Sequence, residues 1–444
     1  MLTKIKIVIS VIMLGLFLRI TFIFLHPYPD INDAYQYDLI ATNIMNGYGI
    51  SQETKPPYIP QIDRVPFYPI FMAFIYFIFG HHFIAIRIVQ TILSMITAFL
   101  VYLIAKAIIK KDDTLSSLPV ISFVLTLLCP FLILFVSILF AETLTAFLIT
   151  LSLLLFLYGI YENKLIFYFF SGISIGLAFM TRPEVFAFPI ILAATHLFIN
   201  LHKITVRRIA TYLLPFFLIW SIWIARNYFA FNKFIPITAQ AGTALLVGTY
   251  PPNRYIKDFP EEVAEEYSKV RFIPEEERVD VVSDMRRRAF KRIIEHPLQY
   301  IGFCIQRIPI LWISSYTHYI GIDDTLSDIF NDIKIKIKEH KSFFREGWLV
   351  LIKATLYLFN IFSVVLGIVG MFLLGKKITY TYPLYIAIIY FTLVHMPLGL
   401  ASPRYVIKIL PTFLIFTSVG GGYLYYWFKR HSLPKLPISP LPQL

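Results

Sequence analysis

Ten separated apolar runs constrain this chain more than any other feature of its sequence. They extend over about Ile5 to Leu25, Phe83 to Ile109, Leu118 to Phe135, Leu144 to Tyr161, Leu165 to Met180, Val185 to Leu201, Ile209 to Ala225, Trp348 to Leu374, Tyr380 to Leu398 and Tyr405 to Phe428. A hydrocarbon core about 30 Å thick takes roughly 20 such residues as a helix. Backbone polar groups in lipid must be satisfied within the segment, so runs of this kind fold as helices. The fold class is therefore all-α: a polytopic transmembrane bundle of about ten spans, within a range of nine to twelve.

Hydrophobic residues are 57% of the 444 and charged residues only 15%, which excludes a soluble domain with a polar surface. The net charge of +13 is scattered between apolar runs rather than gathered on one face, so it reads as anchoring to anionic lipid and not as nucleic-acid binding. Cys129 and Cys304 both lie in apolar stretches and make no disulfide framework.

Basic clusters orient the spans. Placing Lys110-Lys111, Lys164, Lys203 with Arg207-Arg208, Lys376-Lys377 and Lys429-Arg430 in the cytoplasm makes the runs alternate consistently, with both termini inside. The first run, flanked by Lys4 and Lys6 and lacking a small-residue cleavage site, reads as a retained signal anchor. Residues 1–431 then form one membrane domain, followed by a Pro-rich cytoplasmic tail, 432–444. Two stretches fall outside the count. Phe67 to Gly80 is too short to span, and Leu298 to Tyr316 is interrupted by Arg307 and Pro309; both read as interfacial.

Two large extracytoplasmic loops emerge, 26–82 and 227–347. In the first, Tyr37, Ile40, Ala41, Ile44 and Met45 recur at helical spacing, predicting an amphipathic helix that ends near Gly47-Tyr-Gly49. In the second, Glu275 to His296 predicts a charged helix stopped by Pro297.

Carboxylates are costly at the mouth of so apolar a protein, which singles out Asp33. It is a candidate general base for an attacking hydroxyl or amine, and equally a candidate N-cap of the helix it begins. Arg64, in the same loop, offers a forked donor suited to phosphate oxygens or snorkels to headgroups. Asp63 beside it reads as a metal ligand, a second acid or a partner for Arg64. Glu142, Arg182 with Glu184, Arg226 and Arg404 recur at the same predicted ends of spans, where a shared cavity would want them and where snorkelling side chains also sit. Arg19, within the first span, reads as a buried ion-pair partner or a snorkeller. No HExxH, CxxC pair, P-loop or GxSxG occurs.

The order of these features resembles the GT-C superfamily of lipid-carrier-dependent glycosyltransferases, particularly bacterial relatives of protein O-mannosyltransferases and the aminoarabinose transferase of lipid A. The elements that carry the resemblance are Asp33, Tyr37 and Ala41 after the first span, Asp63-Arg64-Val-Pro-Phe, Ala141-Glu142, Met180-Thr-Arg-Pro183, Arg226-Asn227 after Trp223, Gly242 and Gly248, and Pro403-Arg404-Tyr405. The resemblance implies a single inverting displacement on a polyprenyl-phosphate sugar. Asp33 would be the catalytic base, Arg64, Arg404 and Arg226 would hold the donor phosphate, and Tyr37, Asp63, Glu142 and Arg182 would support them. The acceptor is left open, and membrane lipid is the other implied partner.

Two departures qualify the resemblance. Asp33 is followed by Ala34 where the family often has a second acid, and no soluble domain follows the last run, which disfavours a peptide-sequon enzyme. Some relatives use a divalent metal, but Asp33, Asp63 and Glu142 do not define a metal site. A transporter or flippase for a lipid-linked sugar is the rival reading, although no internal repeat supports it.

Overall fold

The computed structural model describes residues 2–25, 32–108, 116–199, 203–238, 241–252, 259–270, 273, 275–316, 326–339, 344–375, 378–399 and 402–432. Lys110-Lys111, Lys376-Lys377 and the Pro-rich segment beyond Ser432 lie outside them. The described residues form nineteen α-helices and no sheet, only an isolated bridge between Ser51 and Pro60.

Helix α1 (Leu2–Leu25) precedes two short helices, α2 (Asn32–Met45) and α3 (Phe67–Phe79). The chain continues through α4 (Phe83–Ile108), α5 (Leu118–Leu127), α6 (Pro130–Phe135), α7 (Glu142–Glu162), α8 (Leu165–Phe179), α9 (Phe188–Ile199) and α10 (Lys203–Phe231). The second long connection holds α11 (Ala241–Gly248), α12 (Glu261–Lys269), α13 (Glu275–Glu295), α14 (Pro297–Trp312) and α15 (Leu326–Lys338). Four more helices close the chain: α16 (Phe344–Leu374), α17 (Ile378–Leu393), α18 (Arg404–Ile407) and α19 (Leu410–Ser432).

Every expected apolar run is helical. Five helical segments, Val8–Leu25, Phe83–Ile108, Glu142–Glu162, Ile204–Phe231 and Arg345–Leu374, are long and apolar enough to cross a membrane by length and composition. Leu118 to Phe135 is not one helix: Pro130 has no N–H to continue the ladder, so the run divides into α5 and α6. Conversely, Pro309 does not interrupt α14, which runs through it to Trp312. Pro297 ends α13 and opens α14 at its first turn, where a missing N–H costs nothing.

Burial of Ala34, Tyr37, Ile40 and Ala41 confirms the stripe on α2, whose apolar face packs against α3. The helix ends where Gly47 and Gly49 adopt φ of 80° and 79°, backbone that side-chain-bearing residues resist. In the bundle, α16 crosses α19 so closely that a Cβ on Gly370 would lie 1.9 Å from the Phe416 carbonyl oxygen. Small residues permit such approach where lipid offers no hydrophobic drive between helices.

Arg19 has no ion-pair partner among the described residues and does not snorkel. It is fully buried, and its guanidinium donates to Ser94 Oγ at 3.0 and 3.3 Å and to the carbonyls of Gly15 (3.0 Å) and Leu127 (2.7 Å). The break at Pro130 makes this pairing available, since the last carbonyls of α5 lack helical partners and carry the negative end of the dipole.

Three ties gather the connections at one end of the bundle. The Phe67 N–H donates to the Met180 carbonyl (2.8 Å), joining the first loop to the end of α8. Arg226 donates to the carbonyls of Gln61 (2.8 Å) and Ile50 (3.3 Å). Buried Arg307 donates to the carbonyls of Gly248, Tyr250 and Met396, locking α11 to the turn after α17.

Candidate active site

Under these ties lies a cavity of about 410 Å³, within the range of small-molecule sites. Its polar lining includes Asp33 and Arg64 of the first long connection together with Arg182, Glu184, His395 and Arg404. Apolar lining comes from the second long connection, with Val247, Val270, Val282 and the ring of Tyr267.

Asp33 stands in the first turn of α2, and its two carboxylate oxygens receive different arginines. Arg64 Nη2 donates to Oδ1 at 2.5 Å, and Arg404 Nη1 donates to Oδ2 at 2.8 Å. Those partners are 31 and 371 residues away, so Asp33 serves tertiary structure rather than only capping its own helix. Arg64 is held further by Gln36 Oε1, at 3.1 and 2.9 Å, and its guanidinium lies 5.3 Å from the Tyr37 ring. Tyr37 is in turn fixed edge-on to Tyr68.

Glu142, in the first turn of α7, pairs with Arg182 and lies 3.9 Å from Arg404 Nε. A chain of alternating charges thus runs Arg64, Asp33, Arg404, Glu142, Arg182. In it three guanidinium groups face two carboxylates, an excess of one positive charge.

Burial by itself would raise the pKa of Asp33, but the guanidinium groups of Arg64, Arg404 and Arg182 outweigh it and hold the carboxyl well below the ordinary carboxylate range. At 14% side-chain exposure, this carboxylate is largely withdrawn from solvent and lines the cavity.

Asp63 lines the same cavity but pairs with Arg278 of α13 rather than with neighbouring Arg64. Arg226 is not among the cavity-lining residues. Its guanidinium braces the first loop through the two carbonyls above and packs 5.1 Å from the Trp223 ring. Among the described residues, no three His, Cys, Asp or Glu side chains gather as a metal site would require. Asp33, Asp63 and Glu142 each pair with an arginine.

Two further groups, Lys408 and His395, were not distinguished by sequence, and Glu184 was named there only among the charges at span ends. Glu184 pairs with Lys408 at the edge of the cavity, and His395 lies against Tyr405, with ring centroids 4.5 Å apart and planes 6° from parallel. Lys408, one turn after Arg404 in an apolar run, was the available signal.

Residues 63–225 match the dolichyl-phosphate-mannose-protein mannosyltransferase family. Among solved structures, the chain is similar to the oligosaccharyltransferase AglB from Archaeoglobus fulgidus, in complex with an inhibitory peptide and a dolichol-phosphate. There 13% identity and a TM-score of 0.50 accompany coverage of 97% of this chain and 52% of that one. The bundle has the GT-C fold.

A second A. fulgidus oligosaccharyltransferase structure, tethered to an acceptor peptide containing the NVT sequon, matches with a TM-score of 0.51 and 13% identity over 96% of this chain and 50% of that one. The chain therefore spans about half the length of these GT-C proteins. ArnT from Cupriavidus metallidurans bound to undecaprenyl phosphate is similar at 11% identity and a TM-score of 0.39, over 94% and 77% of the two chains. No curated protein matches the sequence. The matched family segment opens at Asp63-Arg64 and contains Arg64, Glu142 and Arg182 of the charge chain, whereas Asp33 and Arg404 lie outside it.

Proposed function

We propose that this protein is a membrane glycosyltransferase that moves a hexosyl or pentosyl group from a polyprenyl-phosphate donor to a lipid, glycan or protein acceptor at the extracytoplasmic face. The observation that carries this reading is Asp33 bridged between Arg64 and Arg404 on the wall of a cavity. A base and two forked phosphate donors within hydrogen-bond reach of one another are what displacement at a glycosyl phosphate requires. The dolichol-phosphate in the AglB complex and the dolichyl-phosphate-mannose of the matched family support the class of donor. The excess of one positive charge suits the single negative charge of a sugar phosphodiester.

The acceptor oxygen attacks the anomeric carbon, its proton passes to Asp33, and the bond from that carbon to the phosphate oxygen breaks. The electron pair leaves with the polyprenyl phosphate, whose second charge is stabilised by Arg64 and Arg404. Attack opposite the leaving group inverts the anomeric centre. With both arginines turned on Asp33 the carboxylate is a weak base, and a donor phosphate that draws them away raises its basicity when the acceptor needs it.

The test is transfer in proteoliposomes from a panel of labelled polyprenyl-phosphate sugars. Asp33→Asn should abolish transfer and leave folding and donor binding largely intact. Transfer at the wild-type rate in that variant would reject the assigned base, and movement of donor across the bilayer without transfer would favour a flippase.

A further inference from the structure

Two features of the cavity wall are not used by the displacement chemistry. Glu184 sits in the short turn Pro183–Val185 between α8 and α9, and one of its oxygens takes Lys408 Nζ. Its side chain is 12% exposed, and it lines the cavity. An ion pair with its lysine fully withdrawn from water is expensive and is often no more stable than an apolar replacement. Stability alone therefore gives little reason to keep it.

The second feature is His395, in the turn after α17. It is 2% exposed, lines the same cavity, and neither ring nitrogen has a hydrogen-bond partner among the described residues. A phenylalanine would stack on Tyr405 equally well without burying two unsatisfied polar atoms. The orphaned nitrogens therefore indicate a partner that arrives with a ligand. A neutral imidazole offers one donor and one acceptor.

A carboxylate repels phosphate, and both it and a neutral imidazole bind hydroxyl groups, the carboxylate by accepting and the imidazole in either direction. Lys408 already neutralises Glu184, so a neutral hydroxyl fits better here than an ammonium group. The cavity lining thus combines cationic groups, Arg64 and Arg404, with hydroxyl-binding ones, Glu184 and His395. We propose that Glu184, buttressed by Lys408, and His395 form the subsite that grips the hydroxyl groups of the donor's sugar. This rests on the glycosyl-transfer reading and deepens it, since the two sets of groups together would orient the sugar phosphate in the cavity.

The experiment separates sugar from phosphate. The full chain in nanodiscs is titrated with polyprenyl phosphate alone, and with polyprenyl phosphates carrying glucose, mannose, galactose, arabinose or an amino sugar. The wild type should bind at least one neutral sugar conjugate more tightly than the bare phosphate. His395→Phe, which preserves the stack, should reduce that increment by about tenfold, the loss expected for one or two neutral hydrogen bonds, and leave bare-phosphate binding within about twofold. Because Glu184→Ala alone would strand a buried lysine, the charge-free pair Glu184→Leu with Lys408→Met is the second variant, with the same expectation.

An undiminished increment in both variants, or loss of bare-phosphate binding along with it, would overturn the subsite and leave the phosphate site standing. A wild type that prefers the amino sugar over every neutral one, or gains nothing from any sugar, would also overturn it. A wild type that does not bind polyprenyl phosphate at all would remove the transfer reading and the subsite together.

Discussion

Arg19 and Arg404 are both arginines drawn into an apolar bundle, and they are satisfied in opposite ways. Arg19 donates to Ser94 and to two backbone carbonyls, all neutral and all fixed by the fold. Arg404 donates to Asp33, approaches Glu142, and lines a cavity. The first arrangement closes a helix end and leaves nothing for a ligand to replace. In the second, the partners are themselves ionisable and the space beside them admits an anion. An intramembrane charge is therefore not evidence of function by itself; what distinguishes these two is whether the compensating group can be exchanged.

Experiments can break that comparison, beginning with the largest effect. Asp33→Asn should lower transfer by about 10²–10⁴-fold, the usual worth of a positioned general base, with the thermal unfolding midpoint in detergent showing that the variant folds. Arg404→Gln should cost about 10²–10³-fold in kcat/KM for the donor, as removal of one charge-stabilising donor does. A loss confined to stability there would place Arg404 with Arg19. Arg19→Met should do the reverse, destabilising the fold by about 1–3 kcal/mol through the carbonyls it orphans, while kcat/KM of the folded enzyme stays within about twofold.

Arg226 sharpens the comparison further, because sequence placed it with the phosphate ligands, whereas it donates to the Gln61 and Ile50 carbonyls and the Asn227 side chain and packs against two aromatic rings. Arg226→Ala should reduce stability by about 1–2 kcal/mol and change donor KM by less than Arg404→Gln does. The smallest expected effect is an absence. The folded-state pKa of Asp33 is depressed, so its ionised form persists, and the stability it contributes is lost only as pH falls below the ordinary carboxylate range. Between pH 5 and 8, kcat/KM should therefore show no acid limb that Asp33→Asn removes.

The helices were legible because lipid imposes a simple rule: long apolar runs satisfy their own backbone. The stripe on α2 was legible for a similar reason, as Tyr37, Ile40 and Ala41 recur at helical spacing and are buried together. Asp33, Arg64 and Arg404 could be named from residue type and from the order of motifs, and the structure brings all three into one cluster. Their partners could not be read so directly. Asp63 stands beside Arg64 in the chain, yet its oxygen goes to Arg278, 215 residues away, and Glu184 goes to Lys408 across 224 residues.

Nothing in local spacing distinguishes such a partner from any other arginine or lysine. The opposite fates of Pro130 and Pro309 were hidden likewise. Each removes one N–H, and whether the helix then breaks or continues depends on the packing around it. His395 was missed because a lone histidine in an apolar run is ordinary until its nitrogens are seen to lack partners.

The most direct measurement is a structure of the full chain with a polyprenyl-phosphate sugar bound. The account predicts the phosphate within hydrogen-bond distance of Arg64 and Arg404, the sugar lying toward Glu184 and His395, and Asp33 facing the anomeric carbon on the side opposite the phosphate. A donor phosphate seated away from both arginines, with the bridge between Asp33, Arg64 and Arg404 undisturbed, would contradict it.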